Sequence, residues 1–179
     1  MTTFYLIRHG KADWGDCYTR GLTGFRTDFT KLTALGKEQL ENTSKDERLS
    51  KASLILSSPY TRALESAAII SRNLQVQIEV EYDLHEWLPD ATGTYSSQLE
   101  IFGLADDFER NHGVYPTGET RRWETLEHLK TRVSSVLQRY VHLEYVIVVC
   151  HEMAIWSTTG TRDVENGQII ELELANSKP

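Results

Sequence analysis

Cysteine is almost missing from this sequence. Cys17 and Cys150 are the only two, without metal-ligand spacing, so they form no disulfide framework and no cysteine metal site. Free thiols in a reducing compartment are expected. Long apolar runs are missing as well: nothing approaches the ~20 residues of a membrane span. Met1 to Tyr5 lacks the basic region and apolar stretch of a signal peptide, so the reading is a cytoplasmic chain with no membrane partner. Positive charge is also short. With 19 Lys and Arg against 26 Asp and Glu, the net charge is -7, which argues against a broad nucleic-acid surface. A small anionic substrate stays admissible, because a few arginines in a cleft can outweigh the global field. There is no repeat, linker or low-complexity tract, and residues 1–179 read as one domain. At this length roughly two-thirds of the unfolded surface can be buried, so the core needs no covalent support.

What is present is an alternation of strand-like and helical segments. A strand at 3–8 leads into a long polar loop containing Gly10, Gly15, Gly21 and Gly24. Thr33 has the character of an N-cap for a helix reaching Asn42. Ser53 to Ser57 reads as a short buried strand, Tyr60 to Leu74 as a helix after Pro59, and Val76 to Val80 as a half-buried edge strand. Asp83 to Pro116 is irregular, with one short helix at 96–110, and such an excursion is often functional. One apolar stripe, Trp123, Leu126, Leu129, Val133, Val136, Leu137 and Tyr140, predicts a long helix. A strand at 144–150, a short helix and a last alternating strand at 168–174 complete the chain. The expected fold class is therefore α/β: a mostly parallel central sheet in three layers, with helices on both faces.

Two histidines stand directly after strand-like runs, His9 within Arg8-His9-Gly10 and His151 after Tyr145 to Cys150. In open α/β sheets such positions line the ligand crevice. His9 could attack phosphorus if one ring nitrogen is unprotonated, Arg8 offers a donor fork for phosphate oxygens, and Gly10 permits close backbone approach. Equally, such a tripeptide can merely close a strand beside a surface arginine. Arg62, in the first turn of a predicted helix, opposes the local dipole unless an anion binds there. His151 reads either as a satisfied turn histidine or as a partner of His9. Glu86, beside Trp87 and Leu88, could carry a raised pKa and donate a proton, but Asp83 and Asp90 compete for that reading.

The motifs, in their order, resemble the histidine phosphatase superfamily, the phosphoglycerate-mutase-like group. Arg8-His9-Gly10 closes the first strand, and Leu32-Thr33-Ala34-Leu35-Gly36-Lys37-Glu38-Gln39 matches Leu-Thr-x-x-Gly-x-x-Gln. Ser57 to Ala63 matches Ser-Ser-Pro-x-x-Arg-Ala, and Leu84-His85-Glu86 matches Leu-x-Glu. Gly118-Glu119 precedes the long helix, and His151 ends an apolar strand. The resemblance covers nearly the whole chain. It implies a phosphoglycerate mutase-like fold and a metal-independent phosphatase without a cofactor. His9 would be the nucleophile that becomes phosphohistidine, Glu86 the proton donor, and Arg8, Arg62 and His151 the phosphoryl pocket. The implied partner is a small phosphorylated metabolite or a phosphorylated protein.

The chain also departs from that pattern. Where many members continue Glu-Thr-x-x-Asn, it reads Lys11-Ala12-Asp13-Trp14-Gly15, and Glu152 rather than Gly follows His151. Leu-x-Glu is followed by Trp87-Leu88-Pro89-Asp90 in place of Gly-x-Trp-Glu-Gly. Alternatives within the family are phosphoglycerate mutase activity and phosphohistidine-protein phosphatase activity. Outside it stand a decayed phospho-ligand binding module and a hydrolase holding a metal on His9, Asp13 and His151. Specificity is expected from residues 11–31 and 87–117, where Tyr18, Arg20, Arg26, Tyr95 and Arg110 are available.

Overall fold

The computed structural model of the chain describes residues 1–175. Its strands are β1 (Thr2–Arg8), β2 (Leu54–Ser57), β3 (Ile78–Val80), β4 (Tyr145–Cys150) and β5 (Ile169–Leu174). They form one sheet in the order β3-β2-β4-β1-β5. All neighbours run parallel except β1 and β5, which are antiparallel. The helices are α1 (Trp14–Thr19), α2 (Ala34–Thr43), α3 (Thr61–Leu74), α4 (Gln98–Arg110), α5 (Leu126–Arg139) and α6 (Glu152–Thr159).

The period-2 alternation of the strands builds two cores, one on each face of the sheet. Phe4 and Leu6 of β1, Leu54 and Leu56 of β2, and Val146, Val148 and Cys150 of β4 pack with Leu129, Val133, Val136 and Leu137 of α5. Tyr5, Ile7, Ile55, Ile147 and Val149 project the other way, onto Leu40 of α2 and Ala63, Ala67 and Ile70 of α3. Helices on both faces of a mostly parallel sheet give the expected three layers. Each fully buried leucine or isoleucine contributes about 1.5–3 kcal/mol, which makes these central strands a rigid platform for whatever follows their carboxyl ends.

Most predicted elements appear within a residue or two of their expected bounds. Thr33 caps α2, accepting from the Gly36 amide at 2.9 Å. The stripe that begins at Trp123 is shorter as a helix than as a pattern. Thr125 caps α5 by accepting from His128 N, and Tyr140 is its C-terminal cap residue. Trp123 lies before the helix, fully buried, with its indole N–H donating to Asp107 Oδ2 at 2.9 Å. The segment read as a polar loop also needs correction. It holds α1, capped by Asp13, and a 3-10 turn at Gly24–Phe29.

Candidate active site

The sheet register brings the two histidines together. Arg8 pairs with Cys150 across the parallel β1–β4 ladder, so the next residues, His9 and His151, leave adjacent strands side by side. Strands spaced ~4.8 Å apart carry them to nearly that separation. The ring centroids are 5.1 Å apart, edge to face. Ser58, following β2, reaches the same edge and lies 2.7 Å from His151 Nε2 through its hydroxyl.

The protonation of His9 follows from its contacts. Its Nδ1 lies 2.7 Å from the Gly10 carbonyl, which can only accept, so Nδ1 carries the proton. Nε2 is then a free lone pair, and it accepts from Arg62 Nε at 3.2 Å. Burial, then the Arg62 charge, push the His9 pKa down to about 3, against the pull of the Gly10 carbonyl. The imidazole is therefore neutral at physiological pH. His151 is fully buried, and burial followed by the charges of Arg62 and His9 hold its pKa well below the ordinary value. The Ser58 hydroxyl accepts from the Tyr60 amide at 3.3 Å, and with its own proton turned to His151 Nε2 the ring proton stands on Nδ1.

Three buried polar atoms at this edge have no protein partner: Arg8 Nε, Arg62 Nη1 and His151 Nδ1. Buried donors are almost always paired, because an unpaired one forfeits ~1–3 kcal/mol of solvation. Three such donors from three different elements form a cradle for one anion. Arg62 is only 5% exposed, and its guanidinium lies 4.8 Å from the Tyr60 ring centroid and 5.5 Å from that of Trp14. Aromatic faces thus hold a cation at the amino end of α3, where the helix dipole alone would repel it.

Glu86 is the carboxyl that reaches this cradle. Burial raises its pKa, while the Trp87 and Met153 amides and the charges of Arg62 and Arg8 draw it down. Its Oε1 accepts from Trp87 N at 2.8 Å. The competitors separate cleanly. Asp90 is tied to Arg122, Thr92, Thr94 and Tyr95, and Asp83 does not line the cleft. The backbone around Glu86 is clamped by Arg132 of α5. Its Nη1 donates to the Asp83 and His85 carbonyls at 2.6 and 2.8 Å, and its Nη2 to that of Glu86 at 3.1 Å. Glu124 pairs with the same guanidinium at 2.7 and 2.8 Å.

Gly10 plays a different part from the one its position indicated. It does not line the cleft, and its N–H is taken by Ser66 Oγ at 3.1 Å. A Cβ there would collide with the Gly36 carbonyl and Leu40, so glycine is required for the close passage of α2 rather than for a ligand. Asp13 is equally separate from the two histidines, since its side chain caps α1 through Asp16 N at 3.0 Å. The trio of His9, Asp13 and His151 is not assembled, and no metal-holding cluster of acids, histidines and cysteines occurs among the described residues.

The cradle opens into a cleft of about 690 Å³. Its walls come from the segments expected to set specificity, with Trp14, Tyr18 and Leu22 from the first and Leu88, Tyr95 and Phe102 from the second. Two residues went unnoticed in the sequence as site components, Asp28 in the 3-10 turn and the ring of Tyr60. Irregular segments carry no periodicity that could have flagged Asp28.

The sequence matches the profile described as histidine phosphatase superfamily (branch 1) over residues 4–176. The chain belongs to the histidine phosphatase superfamily. It is 28% identical over 185 aligned positions to a Bacillus subtilis protein named uncharacterized phosphatase PhoE, covering 98% of this chain and 88% of that protein. Among solved structures it is similar to Bacillus stearothermophilus YhfR, with a TM-score of 0.75, 20% identity, and coverage of 98% of this chain and 92% of the other. A mycobacterial glucosyl-3-phosphoglycerate phosphatase gives a TM-score of 0.73 at 18% identity, with 97% and 90% covered. The chain's departure at Glu152 is accommodated, because that carboxylate stands 2.7 Å from Arg8 Nη2 and does not line the cleft.

Proposed function

We propose that the chain is a metal-independent phosphatase that hydrolyses a phosphomonoester through a phosphohistidine on His9. The observation that carries this reading is the set of unpartnered donors on Arg8, Arg62 and His151 around the unprotonated Nε2 of His9. Those donors would hold the equatorial oxygens of the transferring phosphoryl group, where positioned charge contributes most to the rate. His9 Nε2 forms the N–P bond as the P–O ester bond breaks, and the departing oxygen takes the proton of Glu86. Water then attacks phosphorus and gives its proton to the Glu86 carboxylate. The N–P bond breaks, releasing inorganic phosphate and restoring neutral His9.

The raised pKa of Glu86 supports the donor role, since burial keeps a larger share of the acid form available. Arg8 stays aimed at the site in this reading because its Nη1 donates to the Val164 carbonyl while its Nη2 pairs with Glu152. The natural substrate is a small phosphorylated metabolite or a phosphorylated protein. The two buried, unpaired cysteines fit a reducing compartment, and we place the protein in the cytoplasm.

The test is turnover of a simple aryl phosphate by the wild type and His9→Ala, each with and without a chelator. The expected result is abolished turnover in the variant and no effect of the chelator. Comparable rates in both proteins would remove His9 from the reaction.

A further inference from the structure

The cleft beyond the cradle is charged in an unusual way for a site that takes an anion. Among the described residues, Arg8 and Arg62 are its only lining lysine or arginine side chains, and both stand beside His9. The arginines that could have met a second anion are spent elsewhere. Arg20 pairs with Asp16 at 3.6 Å, Arg26 donates to the Gly21 and Thr23 carbonyls, and Arg110 lies against the Asp106 carbonyl and Asp107. Arg122, at the rim, is committed to Asp90 and Glu100.

Against this, one lining carboxylate has no close ion-pair partner and feels only the Arg62 charge that the cradle already uses. Asp28 faces the cleft, accepts a hydrogen bond from the Tyr60 hydroxyl and lies in the field of Arg62, but no lysine or arginine among the described residues forms a close ion pair with it. The other lining acids are accounted for, Asp90 by Arg122 and Glu86 by its place at the cradle. The remaining wall is broad and apolar. Trp14, Phe25 and Phe102 keep 40%, 72% and 56% of their surface exposed, all at the cleft. A volume of about 690 Å³ is typical of a site for a whole small molecule and far exceeds a phosphate alone.

We propose that the leaving-group cleft takes monophosphate esters of uncharged, flat apolar alcohols, and that Asp28 excludes leaving groups carrying a second anion. The proposal rests on the phosphatase reading for the position of the phosphoryl group. Its own content is a charge filter. Arg8 and Arg62 serve one phosphate, the aromatic wall covers the rest of the ester, and a second carboxylate or phosphate meets Asp28 with no cation beyond the Arg62 that the phosphoryl group already engages. A like charge facing another across the cleft is discriminated against, while a neutral isostere is not.

The experiment compares 4-(carboxymethyl)phenyl phosphate with its carboxamide isostere at pH 8, where Asp28, with its pKa raised by burial to about 6, is ionised. The wild type should favour the carboxamide in kcat/KM by roughly tenfold, an effect of the size expected for one like-charge contact in an open, largely solvent-screened cleft. Asp28→Asn should bring the two substrates to within about twofold, mostly by a gain on the carboxylate, in line with the loss of that repulsion. Phe102→Ala, at an exposed helix position, should raise KM for both aryl esters more than it lowers kcat. Equal kcat/KM for the two substrates on the wild type, or a ratio unmoved by Asp28→Asn, would overturn the proposal. Calorimetric binding of the two matching non-hydrolysable phosphonates reads the same ratio without turnover. Discrimination in binding without hydrolysis would contradict the phosphatase reading and uphold the filter. Hydrolysis without discrimination would do the reverse.

Discussion

His9 presents its unprotonated Nε2 to the Nε–H of Arg62 at 3.2 Å, and this contact joins the end of β1 to the first turn of α3. The Gly10 carbonyl on Nδ1 fixes the tautomer, and the guanidinium marks where phosphoryl oxygens would lie. Two elements far apart in sequence thereby meet at one ring nitrogen, the atom proposed to attack phosphorus.

If Glu86 donates the proton, its loss should be felt according to the leaving group. Glu86→Gln should slow alkyl phosphates by roughly 10²–10⁴, the range of general acid catalysis, and activated aryl phosphates far less. Steady-state rates over a series of leaving groups measure this, and a uniform loss would place Glu86 outside proton transfer.

The Arg132–Glu124 pair is a support for that carboxyl. Both side chains are almost fully buried, at 7% and 1% exposure. Arg132→Met should destabilise the fold by about 3–5 kcal/mol, because it strands a buried carboxylate as well as releasing the 83–86 backbone. Adding Glu124→Leu should recover much of that stability, yet leave kcat low because Glu86 stays unanchored. Urea denaturation and kinetics on the single and double variants separate the two effects.

These supports explain what could and could not be read from the chain. Strand-end histidines are visible because β1 and β4 are continuous apolar runs ending abruptly in polar residues. The motif order located Arg62 and Glu86, although the residues around Glu86 left Asp83 and Asp90 as equals. What separates them is Arg132, 46 residues away from Glu86 in the chain, and Arg122 on Asp90. Such partners leave no local trace. Asp28 was illegible for a related reason, since a 3-10 turn has no amphipathic period. The packing role of Gly10 leaves no local sequence signal, because its neighbours, Gly36 and Leu40, come from a helix two dozen or more positions on.

Acid should weaken the fold through His9. Its folded pKa, about 3, lies below the unfolded value near 6.5, so the unfolded chain binds the extra proton between those limits. The contribution is full above pH 6.5 and lost as pH falls toward 3. His151 and His85 act in the same direction, whereas Asp28 and Glu86, with raised values, oppose it. His9→Asn removes one of these protons. Relative to wild type, the variant should gain up to about 1.4 kcal/mol per pH unit below 6.5. Denaturation at pH 7 and pH 5 checks this, and parallel slopes would contradict it.

Glu152 shares Arg8 with the proposed anion site. Glu152→Gln should tighten competitive inhibition by inorganic phosphate roughly two- to fivefold, as expected for removing one partly exposed charge. The Val164 carbonyl keeps Arg8 in place in that variant. Unchanged or weaker inhibition would show that Glu152 serves mainly to position Arg8.

The central claim is the covalent intermediate on His9. Acid-quench is unsuitable because phosphohistidine is acid-labile, so the direct measurement is an alkaline quench of the enzyme during turnover of a ³²P-labelled aryl phosphate. Protein-bound label should appear, survive alkali, disappear in acid and map to His9, and His9→Ala should show none. Label that persists in His9→Ala, or turnover with no protein-bound label under burst conditions with a fast-leaving aryl group, would contradict the account.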